Sequence, residues 1–205
     1  MARIVTQLAV VDRQKCTGCK TCVQICPVTA IKLKKVEGKP KAIIDKKYCQ
    51  ACTICMTRCP EIAITMKLRS SPLKIGIEVS QASSKEVATI CHKAHMYPDQ
   101  IVCYCHRIQA KEVAVAILSG AKTPEEVSRM TGVRTGCATL CITAVIRLLR
   151  AAGLEMDRAP GYQWYGKTVS IWDLPEEVMQ KYDKEYYLLR DRKDLDEVFP
   201  GGGHQ

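Results

Sequence analysis

Eight of the chain's thirteen cysteines spell the same phrase twice, C-x2-C-x2-C-x3-C-P, with the two copies thirty-three residues apart. The first copy is Cys16, Cys19, Cys22, Cys26 and Pro27; the second is Cys49, Cys52, Cys55, Cys59 and Pro60. Three thiols at i, i+3 and i+6 demand a tight loop with its sulfurs gathered together, so the phrase constrains the backbone before any other residue is considered. Thirteen cysteines in a chain with no secretory signal point to a reducing compartment and to metal ligation, not disulfides. The first eleven residues are broken by Arg3, Thr6 and Gln7 and do not read as a signal h-region. No apolar run approaches the ~20 residues of a membrane span. The expected protein has no membrane span and is cytoplasmic.

The repetition extends beyond cysteine. Asp12-Arg13-Gln14-Lys15 precedes Cys16 as Asp45-Lys46-Lys47-Tyr48 precedes Cys49, and Ala30-Ile31 parallels Ala63-Ile64. Each unit is predicted as a strand, a cysteine loop, a short helix and a strand, with residues 34–41, centred on Gly38-Lys39-Pro40, as the turn joining the halves. Val23, Ile25, Ile31, Ile54, Ile62 and Ile64 are expected to form a dry shell around the cysteines. Over about residues 5–67 the phrase resembles bacterial-type dicluster ferredoxins, in which the fourth cysteine of each run serves the other cluster. That resemblance implies that Cys16, Cys19, Cys22 and Cys59 bind one 4Fe–4S cluster, and that Cys26, Cys49, Cys52 and Cys55 bind the other. A pseudo-twofold would let each half donate its last cysteine to its partner's cluster. Two zinc sites are the alternative, but zinc knuckles favour separated pairs of cysteines.

Residues 67–83, with Ser70-Ser71-Pro72, read as a linker. Ser83 and Glu86 form a capping box opening an amphipathic helix that carries Val87, Ile90, Cys91 and Ala94 and stops before Pro98. Cys91, His92 and His95 form a small cluster, read as one buried thiol and two ordinary histidines in preference to metal ligands. A second cysteine constellation follows: Cys103-Tyr104-Cys105, then Cys137 and Cys141. Between the pairs lie two predicted helices, about 109–119 ending at Gly120, and one starting at Thr123-Pro124 and ending near Gly132. A third is predicted over about 138–152. Residues 101–152 resemble the bacterioferritin-associated ferredoxin family, which implies a 2Fe–2S cluster held by Cys103, Cys105, Cys137 and Cys141. That protein itself closes on C-x2-C, whereas this chain has C-x3-C; related domains attached to flavin-dependent amine and amino-acid dehydrogenases vary there. A helix N-terminus would offer N–H groups to the anionic cluster, and Gly132 and Gly136 would let backbone approach the sulfurs. A zinc site or free core thiols are the alternatives here.

The fold class expected is therefore α+β. A ferredoxin-like dicluster domain, a two-fold βαβ pseudo-repeat, occupies residues 1–69, and a linker with one short helix 70–100. A small all-α, cysteine-ligated 2Fe–2S domain follows at 101–153, then an aromatic-rich C-terminal extension at 154–205. That extension holds eight of the eleven aromatics (Tyr162, Trp164, Tyr165, Trp172, Tyr182, Tyr186, Tyr187, Phe199), has one helix opening at Pro175-Glu176, and is read as a docking arm. Lys and Arg exceed Asp and Glu by 24 to 10 over residues 1–152 and fall below them by 7 to 11 over 153–205. Cluster and ligands together are anionic, so the basic excess does not by itself point to nucleic acid.

No nucleophile–base pair, phosphate loop or dinucleotide fingerprint is present, so the chain is expected to catalyse nothing on its own. Three one-electron centres make a relay. The arrangement resembles the iron–sulfur subunits of multi-subunit flavin-dependent dehydrogenases acting on amino acids, opines or related substrates. The implied partners are flavoprotein dehydrogenase subunits in a hetero-oligomeric complex. Two other classes stay open: a redox-sensing regulator, since residues 123–140 read like a helix-turn-helix with Arg134 following its turn, and an iron-handling ferredoxin.

Overall fold

The computed structural model describes residues 2–155 and 169–199. Tyr162, Trp164 and Tyr165 lie outside the described residues. Among the described residues the chain is mixed helix and strand, with three two-stranded antiparallel sheets and two buried cores.

The first core is built around the duplicated phrase. Strand β1 (Arg3–Val11) leads into the first cysteine loop and the short helix α1 (Thr21–Ile25). Then β2 (Ile31–Val36) and β3 (Lys39–Ile44) form a hairpin. Its turn is tighter than expected: Glu37 and Gly38 both have positive φ, as a two-residue primed turn needs, and Lys39 and Pro40 already belong to β3. The second loop leads to α2 (Ile54–Thr57) and β4 (Ile64–Ile75). Residues 67–75, expected within the linker, instead continue β4 and pair with β1 from Val11↔Ile64 to Arg3↔Ile75, with one bulge near Val5.

The two cysteine loops share a backbone. Left-handed φ recurs at Gly18 and Ala51, at Lys20 and Thr53, and at Thr29 and Ile62, each pair thirty-three residues apart. In each loop the residue after Pro-x closes back on the last cysteine: Thr29 N–H on the Cys26 carbonyl at 3.1 Å, Ile62 N–H on the Cys59 carbonyl at 3.2 Å. Ile31 and Ile64 are buried beside the thiols and Val23 packs against them, while Ile25 and Ile54 are half-buried. Ile62 is not part of the shell; it is 76 % exposed, because the left-handed turn points its side chain outward.

The second core is helical. Helix α3 (Ser84–Lys93) buries Val87, Ile90 and Cys91, and so belongs to this core and not to a free linker. Strands β5 (Ile101–Cys103) and β6 (Ile108–Gln109) form a small ribbon carrying the first cysteine pair. Helix α4 (Ala110–Leu118) runs through the centre, with Val113, Ala114, Val115 and Ala116 fully buried; these four are apolar in succession, as a helical stretch covered on every side must be. Helix α5 (Pro124–Thr131) starts as its caps predict: the Thr123 side chain accepts from Glu126 N–H, proline stands at the first position, and Gly132 closes it at φ +82°. Helix α6 (Ile142–Ala151) begins four residues later than expected. Ala138 takes φ +61°, so residues 137–141 form a turn instead of a first helical turn.

In the extension, a short 3₁₀ turn at Ile171–Asp173 precedes α7 (Glu176–Tyr186) and α8 (Leu188–Val198), which pack together. Part of this segment folds onto the chain itself. Trp172 stacks on His95 with centroids 3.8 Å apart and rings 4° from parallel, the Arg147 guanidinium lies 5.2 Å from the Trp172 ring centroid, and Trp172 Nε1–H donates to Asp196 at 2.7 Å.

Candidate functional site

The first loop and Cys59 line one pocket, in which Cys16, Cys19, Cys22 and Cys59 meet Leu33, Ala42 and Ile64. Burial and then the neighbouring Cys19, Cys16 and Cys59 push the Cys22 thiol up to about 11. Around the second loop, burial and then Cys26 and Cys49 raise Cys52 to about 11, and burial, Cys52, Cys26 and Cys49 raise Cys55 further. The last thiol of each loop, Cys26 or Cys59, thus lies among the thiols of the other loop.

Four backbone N–H groups point at these sulfurs. Ala42 N–H lies 3.5 Å from Cys16 Sγ and Ala9 N–H 3.4 Å from Cys49 Sγ; Ala30 N–H lies 3.3 Å from Cys26 Sγ and Ala63 N–H 3.4 Å from Cys59 Sγ. Each pair is again thirty-three residues apart, and all four donors are buried alanines. A methyl side chain is small enough to let the peptide reach the sulfur, and an N–H aimed at sulfur favours thiolate and stabilises negative charge on whatever it ligates. These alanines carry no signal by themselves; only the repeat register could have singled them out.

In the helical unit, Cys103 and Cys141 are buried while Cys105 and Cys137 are exposed. Cys141 hydrogen-bonds to Cys103, which also accepts backbone N–H bonds from His106 and Arg134 and is held down to about 5, while the bond to Cys103 and then burial drive Cys141 up. Backbone N–H groups of Leu140 and Thr139 lower Cys137, and Cys105 is bonded to it. All four expected residues are therefore brought together. The sulfurs meet the turn before α6, and Cys141 is the N-cap residue of that helix. Of the two glycines expected near sulfur, only Gly136 serves. A Cβ there would fall 2.5 Å from Cys105 Cβ and 2.9 Å from its Sγ. Gly132 instead ends α5 beside Ile75 and Arg3.

Arg134 is a residue that sequence reasoning misplaced. It is fully buried, its Nη1 donates to Glu125 Oε1 at 3.0 Å, and its backbone at φ +68° turns N–H toward Cys103 and Cys141. Helix α6, the would-be recognition helix, buries Val145, Ile146, Leu148 and Leu149 completely. Cys91 is a fully buried core thiol, pushed up to about 11 by burial and then by Asp99. His92 is exposed and His95 is stacked on Trp172.

Among the described residues, no three His, Cys, Asp or Glu side chains converge on a point that would hold one metal ion. A tetrahedral zinc with Zn–S of about 2.3 Å would draw its sulfurs to within about 3.8 Å of each other. The thiols of the first loop line a pocket, and N–H groups are aimed at sulfurs of both loops, a setting that suits an anionic multi-iron cluster. Residues 15–63 match the model of the 4Fe-4S dicluster domain, and residues 101–151 match that of the BFD-like 2Fe-2S binding domain. The chain carries two iron–sulfur domains in tandem. The dicluster domain implies two 4Fe–4S clusters and the BFD-like domain one 2Fe–2S cluster. No curated protein and no solved structure matches the chain. No described helix is long and apolar enough to cross a membrane.

The two iron–sulfur domains are joined by a polar seam. Gln50, 3 % exposed and lying between Cys49 and Cys52, donates from Nε2 to the carbonyls of Ser128 and Arg129 at 3.0 Å each. Arg129 donates to the Val28 carbonyl at 2.8 Å, bonds Thr29 Oγ1 and lies 4.4 Å from the Tyr48 ring centroid. Every one of these partners flanks a cysteine of the Cys26 set.

Proposed function

We propose that this chain is an electron-transfer subunit. It relays single electrons through two 4Fe–4S clusters and one 2Fe–2S cluster, between a flavin-containing dehydrogenase subunit and an external acceptor. Cys16, Cys19, Cys22 and Cys59 hold the first cubane, Cys26, Cys49, Cys52 and Cys55 the second, and Cys103, Cys105, Cys137 and Cys141 the 2Fe–2S centre. The chain catalyses nothing alone; the clusters supply one-electron chemistry, and the protein sets their potentials through burial and N–H groups at sulfur.

One observation carries this reading. Three cysteine sites sit in one continuous body, buried along their length, with exposed thiols at two ends: Cys19 in the first loop and Cys105 and Cys137 in the helical domain. Beside the latter, Tyr104 is 76 % and Leu140 75 % exposed, an apolar rim around a redox centre of the kind a docking protein covers. A wire open at both ends suits two protein partners, and the resemblance to iron–sulfur subunits of flavin-dependent amino-acid and opine dehydrogenases supports a flavoprotein as one of them.

The anaerobically isolated chain is expected to contain about ten iron atoms and no flavin, with both cubane and 2Fe–2S signatures. Cys105→Ser removes the 2Fe–2S EPR signal and leaves the cubane signals intact. Loss of a cubane signal instead would sink the assignment. Native co-purification with mass spectrometry of the partners identifies the dehydrogenase; a chain recovered with ferritin or with DNA would replace this reading by an iron-handling or regulatory one.

A further inference from the structure

Arg3 stands outside both cysteine motifs, yet it touches both domains. It is half-buried on β1. Its Nη2 donates to Gln50 Oε1 at 3.0 Å and to the Gln50 carbonyl at 3.4 Å, inside the loop between Cys49 and Cys52. Its Nη1 lies 2.9 Å from His106 Nε2, on the residue next to Cys105. His106 is held in turn by Thr135 Oγ1 at 3.2 Å, and Thr135 precedes Gly136, over which Cys105 packs. One guanidinium therefore ties a ligand loop of the Cys26 set to a ligand loop of the 2Fe–2S set. Nothing comparable links the helical domain to Cys16, Cys19 or Cys22 among the described residues.

The electrostatics agree with the geometry. Burial lowers the Arg3 pKa, and negative charge on Cys52 and then on Cys103 opposes that lowering, so the cation feels one thiolate from each set. Arginine keeps its proton at any working pH. Its Nε is buried without an acceptor among the described residues. A buried donor left without a protein acceptor, within reach of two thiolate groups, suits a junction that receives anionic centres on both sides.

We propose that Arg3 is the positioning cation of the junction between the Cys26-set cubane and the 2Fe–2S centre. It fixes the order of the relay as Cys16 set, Cys26 set, 2Fe–2S, and it raises the potentials of the two centres it bridges. This inference rests on the reading of the chain as an electron relay. Each transfer across the junction moves one electron and no proton: one centre loses a unit of negative charge as the other gains it. Arg3, unchanged in charge, stabilises the reduced form on either side. Direct hydrogen bonds to both ligand loops keep the distance between the loops short and constant, which a lysine point charge on a flexible stem does less well.

The test is an EPR-monitored potentiometric titration of the full chain with dithionite, comparing wild type, Arg3→Gln and Arg3→Lys. Cys19→Ser and Cys52→Ser mark which cubane signal is which. Arg3→Gln is expected to weaken reduction of the Cys26-set cubane and the 2Fe–2S centre about tenfold each, a drop of about 59 mV for one electron. The Cys16-set signal stays in place, and Arg3→Lys restores most of the shift. Unchanged potentials, or an equal shift in all three signals, overturn the proposal. If Arg3→Gln does not assemble, wild type still decides the order. In the fully reduced protein the 2Fe–2S signal is broadened by spin coupling, and that broadening survives Cys19→Ser but is lost in Cys52→Ser. Broadening that instead depends on Cys19 overturns the proposed order. A chain that lacks one of the three signals altogether refutes the relay reading itself, and so is distinct from a failure of the Arg3 inference.

Discussion

Ile62 holds φ +48°, a conformation that β-branched residues rarely adopt, and it does so with its side chain in water. The left-handed region costs an ordinary L-residue about 1–2 kcal/mol, and the loop retains that cost because Pro60 and the Cys59 carbonyl leave the chain no other way to close. Ile62→Asn is expected to raise stability by roughly 1 kcal/mol, since asparagine tolerates this region and no apolar contact is lost. Chemical denaturation of the loaded protein, followed through the cluster absorbance, measures it; a lower midpoint would mean that Ile62 contributes packing unseen here. Arg134 presents the opposite case. Its charge is buried against Glu125, and Arg134→Met leaves that carboxylate in the core at a cost of about 3–5 kcal/mol. The double variant with Glu125→Leu recovers part of the loss, a pattern that thermal unfolding distinguishes from simple loss of packing.

Helices with local signals were legible, and turns set by distant partners were not. Thr123, Pro124 and Gly132 mark both ends of α5 because capping is chemistry between neighbours. The cysteine spacing marked both iron–sulfur domains, since thiols at fixed intervals admit few loops. The start of α6 was missed because nothing about Ala138 announces φ +61°; the turn exists to bring Cys137 to Cys105. The length of β4 was missed because Ser70, Ser71 and Pro72 are poor strand formers, and what holds residues 68–75 is β1, more than sixty positions earlier. Helix α8 opens at Tyr187 in a left-handed conformation without a side-chain cap, so it offered no start signal. Arg3 and Gln50 are single polar residues with no motif, and only the packed domains reveal them.

The extension packs Trp172 and Phe199 on the chain's own surface yet leaves Tyr182, Tyr186 and Tyr187 exposed. A chain ending after residue 155 is expected to keep its full iron content and to lose co-purification with the flavoprotein; loss of iron instead would make residues 169–199 a stabilising element. Between the cysteine sites, Gln50 belongs to both domains at once, lying in a ligand loop and capping the last carbonyls of α5. A loop that carries thiolates is ordered by what those thiolates bind, so docking of the helical domain is linked to loading of the second cubane. A copy that lacks that cubane is therefore expected to open at this joint, and limited proteolysis of the unloaded and the loaded protein checks it.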